Sequence, residues 1–481
     1  MRSSLKRLLT GAVASLALAA AASAGPAAPA TASTAGLSAS RLPHAAARAG
    51  SQLWVSLYDG SIGASSATAV AISHSGKDVF VTGSSYGGDT AYDYATVAYN
   101  AATGAQLWVA RYNDPSNSQD YAYAITVSPD GKAVFVTGTS YQSSSAGYDF
   151  ATVAYNAATG AQLWVRRSPG PGPYNDPAAI AVSPNGRTVF VTGTSRGKHY
   201  YEYATIAYRA ATGAQLWIKH YDGPDLGDSG AAAATVSPNG KAVFVTGASY
   251  GGSQTTGYDY ATIAYRVTTG AQLWVKRYNG PASDTDEATA MAISPSGKLL
   301  FVTGYSTGKN LSYDYATVAY DAVAGRQIWV KRYNGPGNYA NEATAVAVSP
   351  SGKAVFVTGY STQTDSNYDY ATIGYNSRTG KQLWLKRYNG SGNGADYAYS
   401  IAVSPNSRTV YVTGSTTATS NERYGTIAYN AATGARLWLQ IYDNSSIGPD
   451  SAAAVAVNPV SGTVFVTGSS YGEYGTIAYQ G

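Results

Sequence analysis

Residues 120–167 read DYAYAITVSPDGKAVFVTGTSYQSSSAGYDFATVAYNAATGAQLWVRR. Four runs within it, DYAYAITVS, KAVFVTGTS, YDFATVAYN and AQLWVRR, are rich in Val, Tyr, Thr, Ile and Ala and alternate with period two, the signature of β-strands. Ser128-Pro129-Asp130-Gly131 separates the first two runs and supplies a Pro-x-Gly tight turn. NAATG separates the last two, with Gly160 where a positive φ is needed. The stretch therefore predicts a four-stranded antiparallel meander. A meander of this size cannot bury both of its faces, so it must stack on others of its kind.

The rest of the chain supplies them. All eight tryptophans, Trp54, Trp108, Trp164, Trp217, Trp274, Trp329, Trp384 and Trp438, recur at intervals of 53 to 57 residues. The tight turn returns as SPNG from Ser183 and Ser237 and as SPSG from Ser294 and Ser349, while Gly104, Gly213, Gly270, Gly325, Gly380 and Gly434 repeat the part of Gly160. Eight units of about 54 residues predict an all-β chain folded as an eight-bladed β-propeller of four-stranded antiparallel blades. The phase of the array predicts its closure. It opens with a lone fourth strand, SQLWVSLY from Ser51 to Tyr58, and ends after a third strand, YGTIAY from Tyr474 to Tyr479. The N-terminal strand would complete the last blade and remove the exposed edges. First strands are Ala-rich (ATAVAIS at Ala67, AAAATVS at Ala231, ATAVAVS at Ala343), as expected where blades converge on an axis. An open solenoid, the alternative, needs capping repeats, and none is evident.

Composition narrows the class. Of 481 residues, 44% are apolar and 12% charged, enough for a core and against disorder. The absence of Cys excludes a disulfide framework, a thiolate metal site and a cysteine nucleophile. MRSSLKR, the apolar LLTGAVASLALAAA and Ala22-Ser23-Ala24 before Gly25 have the order of a secretory signal peptide, expected over residues 1–24. Residues 25–50, mostly Ala, Pro, Ser and Thr, read as a flexible leader, and 51–481 as the propeller. The expected product is secreted and extracellular, a monomer with no membrane span after signal removal. Loss of Arg2, Lys6 and Arg7 takes the formal charge from +5 to +2, too balanced for a nucleic-acid binder.

From Ala98 to Trp108 the chain reads AYNAATGAQLW, which resembles the Ala-x-Asp/Asn-x-x-Thr-Gly-x-x-x-Trp docking motif of quinoprotein-type, pyrroloquinoline-quinone-like eight-bladed propellers. Copies end at Trp164, Trp217, Trp274 and Trp438, and looser ones at Trp329 and Trp384. The whole unit, with VFVTG and YDYATVAYN, is similar to the secreted bacterial β-propeller-repeat family. The resemblance covers residues 51–481 and implies that each docking Trp packs between neighbouring blades. With all eight Trp in that position, none is left for the aromatic floor that quinoproteins place under their cofactor. The vicinal disulfide of some members is impossible without Cys, and no Glu-Asn-Asp calcium constellation stands out. Pyrroloquinoline quinone is therefore not expected, and fold alone does not confer its site.

Other catalytic patterns are explained by repetition. GSSYG at Gly83 and Gly468, GTSRG at Gly193 and GASYG at Gly247 match the G-x-S-x-G nucleophile elbow, but each follows a VTG strand and precedes another strand rather than a helix. Histidine is scarce, with His44 in the leader, His74 in a tight turn, His220 on an outer strand and His199 in a long loop. No P-loop is present.

The loops carry what remains. Second-to-third loops and interblade links share one end of the ring, and the former are long and dissimilar: SSYGGDTAYD from Ser84, TSYQSSSAGYD from Thr139, ASYGGSQTTGYD from Ala248 and YSTQTDSNYD from Tyr360. Tyr86, Tyr141, Tyr250 and Tyr471 hold equivalent loop positions among Ser, Gly, Asn and Asp, a mixture suited to contact area and hydrogen bonding. Asp120, Asp176, Asp228, Asp286 with Glu287, Glu342, Asp396 and Asp450 stand at or near the start of innermost strands. They form either a carboxylate rim for calcium, a cationic ligand or a polyol, or a set of acceptors for backbone N–H groups in the interblade turns. The reading is a non-catalytic binding or scaffold propeller that recognises extracellular carbohydrate or protein through this end, with no cofactor and calcium left open. Its alternatives are a quinone- and calcium-dependent dehydrogenase, or a carboxylate-based glycan hydrolase or lyase.

Overall fold

The glycines of the two tight turns set the strand directions. Those of the Pro-x-Gly turns (Gly131, Gly186, Gly240, Gly297, Gly352) hold φ of 67–69°, and those of the NAATG-type turns 65–73°, a region that costs L-residues with side chains about 1–2 kcal/mol. The computed structural model describes residues 47–481 apart from 61–63, 89, 144–146, 171, 225–226, 252–256, 364–366, 419–420 and 445–447. Residues 1–24, expected to be a signal peptide, and most of the expected leader lie outside the described residues.

The strands form eight four-stranded antiparallel sheets, each a simple meander in chain order except the last. Numbered along the chain, blade two holds Asp120–Val127, Ala133–Ser143, Gly147–Asn156 and Gln162–Ser168. Blade eight takes Asp450–Val457, Val464–Ser470 and Glu473–Tyr479 from the C-terminus and Gln52–Tyr58 from the N-terminus, paired with Val55 opposite Ile477. Closure is as expected. Innermost strands of successive blades are tied by side chains, as where Thr68 Oγ1 donates to Ala122 O (2.9 Å) and Thr344 Oγ1 to Ala398 O (2.7 Å).

The core lies between blades. One cluster joins Phe80 and Trp108 of blade one to Val134, Val136 and Ala151 of blade two, and the pattern repeats around the ring. Alternation between buried and exposed faces fails in the middle strands. Val79, Phe80 and Val81 are all fully buried, because each blade is covered on both faces by its neighbours. The tryptophans pack against the next blade. Trp164 Nε1 donates to Ala210 O in the next blade (2.8 Å), Trp217 to Val267 O (3.0 Å) and Trp384 to Ala431 O (2.9 Å). Each indole is covered by the glycine of the next blade's last turn, as Trp108 is by Gly160.

Candidate functional site

Strand direction divides the polar chemistry between the two ends of the ring. At one end lie the near-identical Pro-x-Gly and NAATG turns. At the other lie the interblade links and the long second-to-third loops, whose middles at 89, 144–146, 252–256 and 364–366 fall outside the described residues.

The acids expected to be equivalent are not. Register separates them into three positions. Asp120, Asp286, Asp396 and Asp450 share one, opposite Ser140, Ser306, Thr416 and Ser470, and Ser65, Asn175, Ser229 and Asn341 fill it in the other blades. These four carboxylates accept from interblade N–H groups: Asp120 from Asp114 (2.8 Å), Asp286 from Gly280 (2.6 Å), Asp396 from Gly390 (2.6 Å) and Asp450 from Asn444 (3.0 Å). Burial pushes Asp120 up to about 7 and Asp286 to about 6. Asp176, Glu287 and Glu342 sit one residue later, opposite Thr194, Tyr305 and Tyr360, on the other face of the strand. Burial raises Asp176 to about 7. Asp228 precedes its strand and accepts from Tyr201 N (3.0 Å). Of the two expected arrangements, acceptors for backbone N–H groups in the interblade turns describe Asp120, Asp286, Asp396 and Asp450, while Asp176, Glu287 and Glu342 face the other way.

Three of the four tyrosines expected in loops are placed elsewhere by the structure. Tyr86, Tyr141 and Tyr250 lie within strands, opposite Tyr92, Tyr148 and Tyr258, with ring centroids 5.5, 5.1 and 6.1 Å apart in edge contacts. Tyr471 differs, because the loop shrinks there to Tyr471-Gly472 and the tyrosine takes φ 47° at the exposed tip. The serines of the G-x-S-x-G matches are buried in the sheet ends, and Ser85 accepts from Arg111 (2.9 Å).

Two features escaped the sequence reading. The first is a polar strap at each of several junctions, in which Arg277 reaches Asp259 and Ser249 of its own blade and Tyr221 Oη of the preceding one (3.2 Å). Arg111, Arg332 and Arg387 repeat it. The second is an aromatic and acidic sector across blades five to seven. Tyr360 packs on Tyr368 (5.2 Å) and on Tyr397 of the next blade (5.1 Å), and Tyr397 stacks on Tyr399 (6.2 Å, 8°). Burial, with Glu287 beside Tyr305 and Glu342 beside Tyr360, pushes both hydroxyls well above the usual range. Tyr399 is 37% exposed and Tyr339, in the adjoining link, 67%. Its signal in the sequence was Asp396-Tyr-Ala-Tyr-Ser400, which breaks the Ala-rich rule for first strands.

Among the described residues, every exposed tyrosine (Tyr174, Tyr200, Tyr339, Tyr399, Tyr471) belongs to this end. Within the same residues no three His, Asp or Glu side chains come together as a metal-binding group, and no helix is long and apolar enough to cross a membrane.

A family model described as Outer membrane protein assembly factor BamB matches residues 38–288 and again 202–473. The chain belongs to that family. The overlap of the two matches is that of a repeated array. Among solved structures, this BamB-family propeller is similar to Chaetomium thermophilum Sqt1 bound to the N-terminus of the ribosomal protein L10, at 13% identity over 88% of this chain and 98% of that one, with a TM-score of 0.57. It is also similar to the quinohemoprotein alcohol dehydrogenase from Comamonas testosteroni, at 14% identity over 89% and 76% of the two chains, with a TM-score of 0.53. Likenesses at this identity establish the fold. The comparison with curated proteins finds no match. The indoles of this BamB-family chain pack at the interblade docking position, each against a glycine of the next blade.

Proposed function

We propose that this BamB-family propeller is a non-catalytic scaffold that holds a protein partner on its long-loop end, centred on blades five to seven. The observation that carries the reading is the confinement of exposed tyrosines, among the described residues, to that end, with Tyr339 and Tyr399 bordering a sector that contains the half-buried Glu342. Tyrosine offers flat contact area at low entropic cost, and the Glu342 carboxylate favours a segment bearing Lys or Arg. Sqt1, a chain of similar fold, is bound to the N-terminus of the ribosomal protein L10, which supports the reading by analogy of fold.

The test is selection of a phage-displayed random peptide library on the protein, alongside a glycan array. Lys- or Arg-containing peptides are expected, with binding lost in Y339A/Y399A and kept in V323S/V460S at the opposite end. Glycan binding without peptide binding, or peptide binding that survives Y339A/Y399A, overturns the proposal. Export belongs to the same reading, with Gly25 as the first residue of the product. Mass spectrometry of the extracellular fraction checks it, and a product retaining Met1 contradicts it.

A further inference from the structure

Seven blades end their fourth strand on a tyrosine, namely Tyr58, Tyr112, Tyr221, Tyr278, Tyr333, Tyr388 and Tyr442, while blade two ends on Ser168. What each tyrosine does is clear at the junction of blades one and two. The Tyr112 ring sits 5.2 Å from Tyr94 and packs in one cluster with Ala151, Val153 and Val165 of the next blade. Its hydroxyl, raised chiefly by burial, lies beside Ser140 and Arg167.

One repeat further on, the corresponding residues are Phe150, Ala204, Ile206, Ile218, Ser195 and His220. These six, with Ser168, Pro169 and Gly170, line a cavity of about 70 Å³. The hole is thus the space that a tyrosine ring fills elsewhere. Three neighbouring positions change with it. Phe150 replaces the tyrosine whose hydroxyl, in Tyr94, donates to Ala151 O (3.1 Å), so Ala204 O lacks that donor. His220 and Glu202 replace the Arg and Asp of the strap, and pair through Nδ1 at 2.9 Å. That pairing leaves Nε2 as the other polar atom of an imidazole that lines the cavity. Pro169 is exposed and Ser168 and Gly170 are half-exposed, so the cavity reaches the surface.

We infer that the junction of blades two and three binds a small phenol, its ring among Phe150, Ile206 and Ile218 and its hydroxyl toward His220 and Ser195. A water needs only ~15 Å³ by the same measure, and an engineered apolar cavity of ~150 Å³ in another protein holds benzene, so 70 Å³ with one open side takes most of a ring. The site is independent of the long-loop reading, since it lies between blades and uses none of that sector's residues.

Titration with p-cresol, the side chain of tyrosine as a free molecule, tests it. Saturating p-cresol should raise the thermal midpoint of the wild-type protein and of S168A by about 1–2 °C, and leave S168Y unmoved because its own ring fills the space. The imidazole NMR signals of His220 should shift on titration while those of His74 do not, a readout that stands even if S168Y fails to fold. An equal midpoint rise in S168Y, no saturable rise in the wild type, as for a cavity that holds only water, or an unmoved His220 signal overturns the inference.

Discussion

Gly50 lies against the indole of Trp438, so close that a Cβ there would stand 2.7 Å from Cγ. It repeats, from the N-terminal side, what Gly104 does to Trp54 and Gly434 to Trp384. The last residue assigned to the leader therefore takes part in closing the ring, and its N–H donates to Gln480 O (2.7 Å). At φ 82° an alanine costs about 1–2 kcal/mol from backbone strain, and displacement of the indole adds to it. Gly50→Ala should lower stability by about 3 kcal/mol, whereas Gly131→Ala, at φ 69° with open space around it, should lose only the backbone share. Chemical denaturation of both variants checks the difference.

Acid–base linkage should run opposite to ordinary acid denaturation at these sites. Asp120 and Asp176 at about 7 and Asp286 at about 6 keep protons in the folded state that the unfolded chain releases near pH 4. Where the folded state binds more protons, stability falls as pH rises. The contribution of these groups is complete below about pH 4 and is lost by about pH 7. Asp120→Asn, which copies the Asn175 and Asn341 of other blades, should flatten the decline in thermal midpoint between pH 5 and pH 8. A parallel decline in wild type and variant would show that Asp120 does not titrate there.

Arg277 holds a nearly buried carboxylate. Its guanidinium is 22% exposed and Asp259 only 8%, with 2.8 Å between them. Removing one partner of a buried pair costs ~3–5 kcal/mol; partial exposure of this arginine brings Arg277→Met to about 2–3 kcal/mol. In Arg277→Met/Asp259→Asn about half of that loss should return, because no unpaired charge remains. Urea denaturation of the two variants gives the comparison.

The propeller was legible because its signals are local and repeated. Trp spacing, Pro-x-Gly turns and the orphan strand at Ser51 each state the same architecture. Face and register were not legible. Asp176 and Asp120 occupy similar places in their repeats, yet one residue of offset puts their side chains on opposite faces of the strand. Link lengths between Trp and the next strand vary, so no spacing rule reveals the offset. The sector of Tyr360, Tyr397 and Tyr399 joins two blades, and contacts of that kind exist only once the ring is built. Ser168 was not singled out: RRSPG stands where three other blades read KRYNG, a difference that acquires meaning only through the cavity it leaves between packed blades.

Hydrogen–deuterium exchange of the protein with and without a selected Lys-containing peptide tests the central claim most directly. Slowed exchange confined to the Tyr339 link, Tyr397–Val403 and the edges of blades five and six is the expected result. Protection at the Pro-x-Gly and NAATG turns instead, with the long-loop end unchanged, would place binding on the opposite end and contradict the account.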